Sequence, residues 1–299
     1  MSDTVPDLEK LLPSWTLSLR SERKSPATIA SYTDGVLAFL RWAKAAGIPV
    51  ELTKTTVQTF TADLLDGGAQ AATARARHMA LRRYAAWLAE EGEIDSNSLL
   101  GLKPPKLDAK IIDSLTDEEL RLLMKACSGR GLIDRRDEAI VRLMVETGLR
   151  AGEVLALQTA DIDLQQGNAI VRRGKGGKAR SVPFGSQTAA ALDRYMRARS
   201  GHRLGNTEPL WLGGNGQTFS YAGLDRALKR RAEAAGISGF HLHLLRHTAA
   251  TRWLRAGGSE QGLMAVAGWS TRSMIDRYTG ASASERAAAE ARNLNLGDL

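Results

Sequence analysis

The sequence predicts a mainly α-helical protein of two domains, with one small antiparallel β-sheet in the second. Three observations predict it. Apolar residues recur at helical spacing along most of the chain. A stretch carrying Gly101, Pro104 and Pro105 interrupts that spacing between residues 101 and 113. Around 169–183 the period shortens to the alternation of strands. At 299 residues the chain is also too long for one small core.

In the first domain, taken as 1–100, Leu8, Leu11, Leu12, Trp15 and Leu19 outline a helix from about residue 7. Ser25 before Pro26 reads as an N-cap with proline in the first turn; Ile29, Tyr32, Val36, Leu40 and Ala43 form the apolar face, and Gly47-Ile48-Pro49 ends the helix. Thr53 opens a third helix to about Asp66. A fourth, from about Gln70 to Glu91, turns Leu81, Tyr84 and Leu88 toward a core. It sets Arg75, His78 and Arg82 along one face, as either a solvated stripe or a nucleic-acid contact. Residues 101–113 read as a basic linker through which Lys103, Lys106 and Lys110 are spaced.

The second domain, 114–299, opens with Thr116 and Glu119 in a capping box. Helices are predicted at about 116–127 and 134–148, with a short one over 153–157. Residues 169–172 and 180–183 read as strands joined by a turn over 174–178, and 161–164 as a third short strand. Helices return at about 186–199, 220–235, 243–256, 260–267 and 271–279, and an alanine-rich tail helix at about 283–293 ends the pattern.

A net charge of +8 and a pI near 9.8 favour a polyanionic partner, nucleic acid before anionic membrane. Cys127, the single cysteine, excludes an internal disulfide, and its neighbours Leu122, Leu123, Met124 and Ala126 suggest a packed, reduced thiol. No apolar run reaches transmembrane length, and the N-terminus lacks the layout of a signal peptide, so a cytoplasmic location is expected.

Five side chains spread over the second domain make chemical sense together: Arg150, Lys175, His243, Arg246 and Tyr278. Arginine offers a planar fork for two non-bridging phosphate oxygens. Arg150 sits among Val145, Leu149 and the run 154–157, and Arg246 among Leu242, Leu244, Leu245 and Ala249, so both are expected to be partly buried and to need a partner. Glu153, three residues after Arg150, is placed to orient it. Lys175, flanked by glycines, lacks the G-x-x-x-x-G-K-[ST] pattern of a triphosphate loop, but a lysine at a turn tip can protonate a leaving oxygen. His243 suits proton transfer. A phenol with pKa near ten needs a base or a cationic field before it attacks phosphorus. Trp269, nine residues before Tyr278, can donate its indole N–H to a phosphate oxygen. The rival is a metal site on His241, His243 and His247, which has no cysteine or carboxylate within the segment and a cationic neighbour in Arg246.

These residues stand in four separated motifs that together resemble the tyrosine recombinase (phage integrase) family: residues 147–157, the turn 174–178, His243-Leu244-Leu245-Arg246-His247-Thr248, and Gly268-Trp269-Ser270 with Tyr278. The resemblance covers about 113–285 well and the helical first half more loosely. It implies a core-binding domain and a catalytic domain clamped around double-stranded DNA, and a site-specific recombinase that cuts and rejoins strands through a 3′-phosphotyrosyl link. In it Arg150 and Arg246 would hold the scissile phosphate, Tyr278 attack it, Lys175 act as acid, and His243 assist proton transfer. Glu153 would orient Arg150, and His247 would be a structural member of its box. Trp269 stands where the family commonly has histidine, which narrows that position to hydrogen bonding and packing. Arg75, Arg82, Arg172, Arg226, Lys229 and Arg230 are the candidates to face DNA, with Arg231 in the same basic run. The family's properties imply no metal and no nucleotide cofactor, a homo-tetramer assembled on DNA through the tail beyond Ala281, and room for an accessory DNA-bending or directionality protein. Departures at Ala267 and Trp269 favour a short phage or mobile-element integrase over a Xer-type resolvase.

Overall fold

The computed structural model describes residues 6–107, 113–172, 179–213 and 219–279. The 174–178 turn with Lys175, and the predicted tail helix at 283–293, lie outside them. The chain divides into two units at Lys110 and Ile111.

The first unit is four helices: α1 (Leu12–Ser21), α2 (Pro26–Ala46), α3 (Lys54–Asp66) and α4 (Ala71–Glu90). Their ends follow local chemistry. Ser25 Oγ accepts the Thr28 N–H at 3.1 Å, and Gly47 closes α2 at φ 63°. Thr53 and Thr56 cap α3 reciprocally. α1 starts four residues later than the apolar spacing from Leu8 suggests. Pro13 is compatible only with a first turn, because further in it would remove a ladder bond and clash with the preceding turn. Leu8 is nevertheless buried, and its carbonyl accepts Tyr84 Oη at 2.6 Å. Trp15, Phe39, Phe60, Tyr84 and Leu88 fill the core. α2 and α4 pack closely at Gly35, where a Cβ would lie 2.7 Å from that of Ala80.

Two expectations for this unit change. Residues 101–107 are not a detached linker: Leu102 is buried in the core, and Arg75 Nη1 donates to the Pro105 carbonyl at 2.7 Å. His78 is not part of an outer basic stripe; it is buried beside Thr61, and burial together with Arg82 holds its imidazole below the usual value.

The second unit holds α5 (Asp117–Ala126), α6 (Leu132–Thr147), α7 (Ala151–Leu155), a three-stranded antiparallel sheet, and α8 (Ser186–Ser200) through α9 (Tyr221–Ala234), α10 (Leu242–Arg255), α11 (Glu260–Ala267) and α12 (Ser273–Thr279). The sheet runs β1 (Ile162–Asp163), β2 (Asn168–Val171), β3 (Arg180–Pro183), with Ile162 opposite Ala169 and Val171 opposite Arg180. The fold is therefore mainly α with one small antiparallel sheet, as predicted.

α6 is the spine of this unit, packed against α8 and α10 and buried through Ile140, Val141, Leu143 and Met144. Thr116 and Glu119 form the expected capping box on α5. Cys127 is fully buried, and burial pushes its thiol up to about 12, so it is a packing residue. No helix among the described residues is long and apolar enough to cross a membrane.

Candidate active site in the second unit

The first arginine box is a turn between two helices. α6 stops at Gly148, which takes φ 64°, a conformation that favours glycine. Leu149 drops into the core, and Arg150 becomes the N-cap of α7. Glu153 Oε2 accepts the Arg150 backbone N–H and Oε1 accepts Arg150 Nη1, both at 2.9 Å. Glu153 thus holds the Arg150 backbone with one oxygen and its guanidinium with the other.

A second arginine, missed in the sequence, shares that carboxylate. Arg180 donates from Nη1 to Oε1 at 3.1 Å and from Nη2 to Oε2 at 2.9 Å. Burial raises the Glu153 carboxyl, and the Arg180 bonds, with those of Arg150, outweigh it and hold the group below its ordinary range. Both arginines also reach the end of α11: Arg150 Nη2 donates to the Gly268 carbonyl at 3.3 Å and Arg180 Nε to the Val266 carbonyl at 3.0 Å. Gly268 itself takes φ 64°, and a Cβ there would sit 2.8 Å from the Arg180 guanidinium carbon. The usable signal was strand alternation: Arg180 lies two residues before the buried Val182, on the inner face of β3.

α10 carries the second box. His241 caps it, its Nδ1 accepting the Leu244 N–H at 3.1 Å. That occupies one ring nitrogen of the imagined metal cluster. Among the described residues no three His, Cys, Asp or Glu side chains gather as ligands.

Arg246 is 2% exposed. Its Nη1 donates to the Gly148 carbonyl, which links the two boxes. Its Nη2 is buried without a hydrogen-bond partner among the described residues. Burial lowers its pKa to about 10, with the Arg150 charge adding to the effect and Glu153 and Tyr278 opposing it. It remains a cation at neutral pH. Beside it, Trp269 presents its ring 5.2 Å from the guanidinium, and its Nε1 is likewise buried without a partner among the described residues.

Tyr278 rides on α12, which is anchored by the buried Ile275 in a small cluster with Ala250, Leu254, Leu263, Ala267 and Trp269. Its ring stacks on Trp269 at 5.2 Å and 17°. Its hydroxyl is hydrogen-bonded to Nδ1 of His247. The histidine expected to assist proton transfer was His243. His243 lies in the first turn of α10, exposed, while α12 passes over the next turn, where His247 projects. The two imidazoles meet edge to face with centroids 4.4 Å apart.

The structure thus gathers Arg150, Glu153, Arg246, His247, Trp269 and Tyr278, with His243 at the margin; Lys175 lies outside the described residues. The candidates to face DNA separate. Arg226 and Arg230 are exposed on α9, and Lys229 pairs with Asp225 at 2.8 Å. Arg172 binds the buried Asp161 at 2.5 Å. Arg75 is engaged at Pro105, and Arg82 is half-buried. Arg231 turns inward to Asp134 and Asp137 at 2.7 and 3.0 Å.

Comparison with known proteins follows the same boundaries. Residues 113–285 match the phage integrase family, and residues 12–92 match the phage integrase N-terminal SAM-like domain. Tyrosine recombinase XerD of Corynebacterium glutamicum is 30% identical over 282 residues, covering 90% of this chain and 92% of its own. Among solved structures, the XerH site-specific recombinase bound to palindromic difH substrate superposes with a TM-score of 0.73 at 19% identity, covering 97% of this chain and 85% of that one. A lambda integrase tetramer bound to a Holliday junction gives 0.68 at 20%, covering 88% and 77%. With a match over more than half its length, and with its two arginine boxes joined through one buried guanidinium, this chain belongs to the phage integrase family.

Proposed function

We propose that this protein is a site-specific tyrosine recombinase, an integrase that cleaves and rejoins double-stranded DNA through a 3′-phosphotyrosyl intermediate, without metal or ATP. The observation that carries the reading is the Arg246 side chain: a buried cation whose Nη2, like the neighbouring Trp269 Nε1, has no hydrogen-bond partner among the described residues, next to a second guanidinium and a tyrosine. Buried donors left unsatisfied are costly, and a non-bridging phosphate oxygen relieves both at once.

Arg150 and Arg246 hold the scissile phosphate and stabilise the charge that builds on its equatorial oxygens. Glu153 keeps Arg150 pointed at it. Tyr278 attacks phosphorus, and Lys175 gives a proton to the departing 5′ oxygen. The tyrosyl ester conserves the energy of the broken bond, so rejoining is the same step in reverse. Arg226 and Arg230 on α9 present positive charge to the DNA; Lys229, Arg75 and Arg172 would have to share theirs with Asp225, the Pro105 carbonyl and Asp161, and Arg82 is half-buried. The active assembly is a homo-tetramer on two recombining sites, working in the cytoplasm, with an accessory DNA-bending or directionality protein where the site requires one.

Two programmes share this chemistry. The overall likeness to XerD supports chromosome-dimer resolution, and the departures at Ala267 and Trp269 support element integration. Resolution of directly repeated sites against joining of two unlike sites distinguishes them.

The test is covalent capture. The full chain is incubated with a nicked suicide duplex built on a site recovered from a random-sequence pool. Wild type is expected to form a denaturant-resistant adduct in the presence of chelator, and Tyr278→Phe is expected to form none. An adduct with Tyr278→Phe, or activity abolished by chelator, overturns the reading.

A further inference from the structure

We infer that Arg180 is a positioning residue of the cleavage reaction: it cancels the charge of Glu153, so that Arg150 is held in place and still presents a positive charge to the scissile phosphate. The inference rests on the recombinase reading and adds a residue to its machinery. Three observations lead to it. Every guanidinium nitrogen of Arg180 is engaged within the protein: Nη1 and Nη2 donate to the two oxygens of Glu153, and Nε to the Val266 carbonyl. The buried Glu153 receives Arg150 at the same time, through the backbone N–H and Nη1. Gly268, whose carbonyl takes Arg150 Nη2, leaves room for the Arg180 guanidinium, since a Cβ there would lie 2.8 Å from its central carbon. Arg180 therefore acts through Glu153 and Arg150, not on the phosphate itself.

The need is electrostatic. A carboxylate is well suited to orient a guanidinium and carries the wrong charge to sit beside a phosphate. Arg150 and Glu153 alone form a neutral pair, so an incoming phosphate would meet a repulsion for each attraction. Two guanidiniums over one carboxylate leave a net positive charge, to which Arg246 on α10 adds its own. Burial also favours the protonated form of Glu153, and the largest influence in the other direction is Arg180, ahead of Arg150. Among the described residues, the charged groups around Glu153 are Arg150 at the start of α7, Arg180 from β3 and Arg246 from α10, while the end of α11 offers main-chain carbonyls. With Arg180 removed, a nearby phosphate drives Glu153 toward protonation, and a neutral carboxyl grips Arg150 more weakly.

A purely architectural Arg180 makes a different prediction. Cleavage of the nicked suicide duplex is followed in a single turnover, with rates taken per folded molecule. Arg180→Ala is expected to cleave about 10²-fold more slowly at unchanged DNA affinity, the loss that a displaced phosphate-holding group brings. The deficit should widen as pH falls from neutral into the acid range, because Glu153 then takes up a proton. Arg180→Lys, which keeps the charge and loses the fork, should lie between the two and keep the wild-type pH profile. Glu153→Gln removes the charge that Arg180 no longer cancels. Added to Arg180→Ala, it should restore cleavage by about tenfold and abolish the acid deficit.

A 5′-bridging sulfur, which leaves without an acid, should restore Lys175→Ala and not Arg180→Ala. Where Arg180→Ala does not fold, Arg180→Lys and the double variant carry the test. Arg180→Ala within a few-fold of wild type, Arg180→Lys no faster than Arg180→Ala, no gain from Glu153→Gln, or restoration by sulfur each overturns the proposal. All four leave the recombinase reading standing, whereas absence of any adduct with wild type overturns both.

Discussion

Two arginines in the second unit are buried to the same degree and do opposite things. Arg199 on α8 is 4% exposed, Arg246 on α10 is 2% exposed. Arg199 donates to the carbonyls of Gly205, Thr207, Pro209 and Leu210, and so ties the segment after α8 to that helix. Tyr195 reinforces it, bridging Leu210 and Leu212. Arg246 has one protein carbonyl and a buried Nη2 with no partner among the described residues. A saturated buried cation is architecture. An unsaturated one, with a second guanidinium near it and no ion-paired carboxylate among the described residues, is a receptor for an anion.

The sharpest way to break that contrast is Arg246→Met. If the unsaturated arginine serves the transition state, adduct formation should fall by roughly 10³-fold or more. The fold should not suffer. The pKa of about 10 means the folded state disfavours this charge at every pH below that value, so removing it leaves stability unchanged or higher by about 1 kcal/mol. Orthovanadate, a phosphorane mimic, should raise the melting temperature of wild type and not of the variant. A large drop in melting temperature with cleavage retained would show that Arg246 is architecture after all.

Arg199→Met should give the mirror image. Removing several buried hydrogen bonds at once is expected to destabilise the unit by about 3 kcal/mol. Below the unfolding transition, cleavage per folded molecule should stay within about threefold of wild type, since 1.4 kcal/mol on the barrier is a factor of about ten and the site makes no contact with this side chain. Denaturant unfolding and active-site titration read the two quantities separately.

That contrast also explains what the sequence could disclose. Helix ends were legible because the caps are local: Ser25, Gly47, Thr53, and Thr116 with Glu119 act within one turn of their own position. The start of α1 was misjudged because apolar spacing from Leu8 outweighed the constraint that Pro13 imposes. The boxes were legible because unusual residue types cluster in short windows. Arg180 and Arg199 were not, since each owes its role to partners from 6 to 86 residues away. In a chain with 41 lysines and arginines, strand alternation gives the inward side of Arg180 but not its partners, and nothing local marks Arg199. The same holds for His247: only the path of α12 over α10 decides which histidine meets Tyr278.

Arg180→Ala sharpens the comparison from between its extremes, because Arg180 is saturated yet touches the site through Glu153. Loss of its paired bonds is expected to cost about 2 kcal/mol. The pH dependence gives the cause. Glu153 has its carboxyl held below the ordinary carboxylate range, so it stabilises the fold fully above that range, and the contribution disappears as pH falls through the lowered value. Wild type should lose stability over that acid window, and Arg180→Ala should lose less of it. Equal acid slopes in the two proteins would remove Arg180 as the cause.

The smallest effects are expected on α9, where neighbouring arginines face opposite ways. Arg231 closes on Asp134 and Asp137, whereas Arg230 is exposed, as is Arg226 one turn earlier. If the exposed pair meets phosphates, Arg226→Ala and Arg230→Ala should each weaken binding to a recovered duplex by about 1 kcal/mol. Each should also flatten the salt dependence by about one unit of slope. Stability should move by less than about 0.5 kcal/mol in either case. Arg231→Ala should reverse the pattern, leaving the salt slope as it is and lowering stability, because Asp134 loses its ion pair and the buried Asp137 keeps only Arg136. A salt slope unmoved by both outer substitutions would turn this face of α9 away from DNA without touching the chemistry around Arg246.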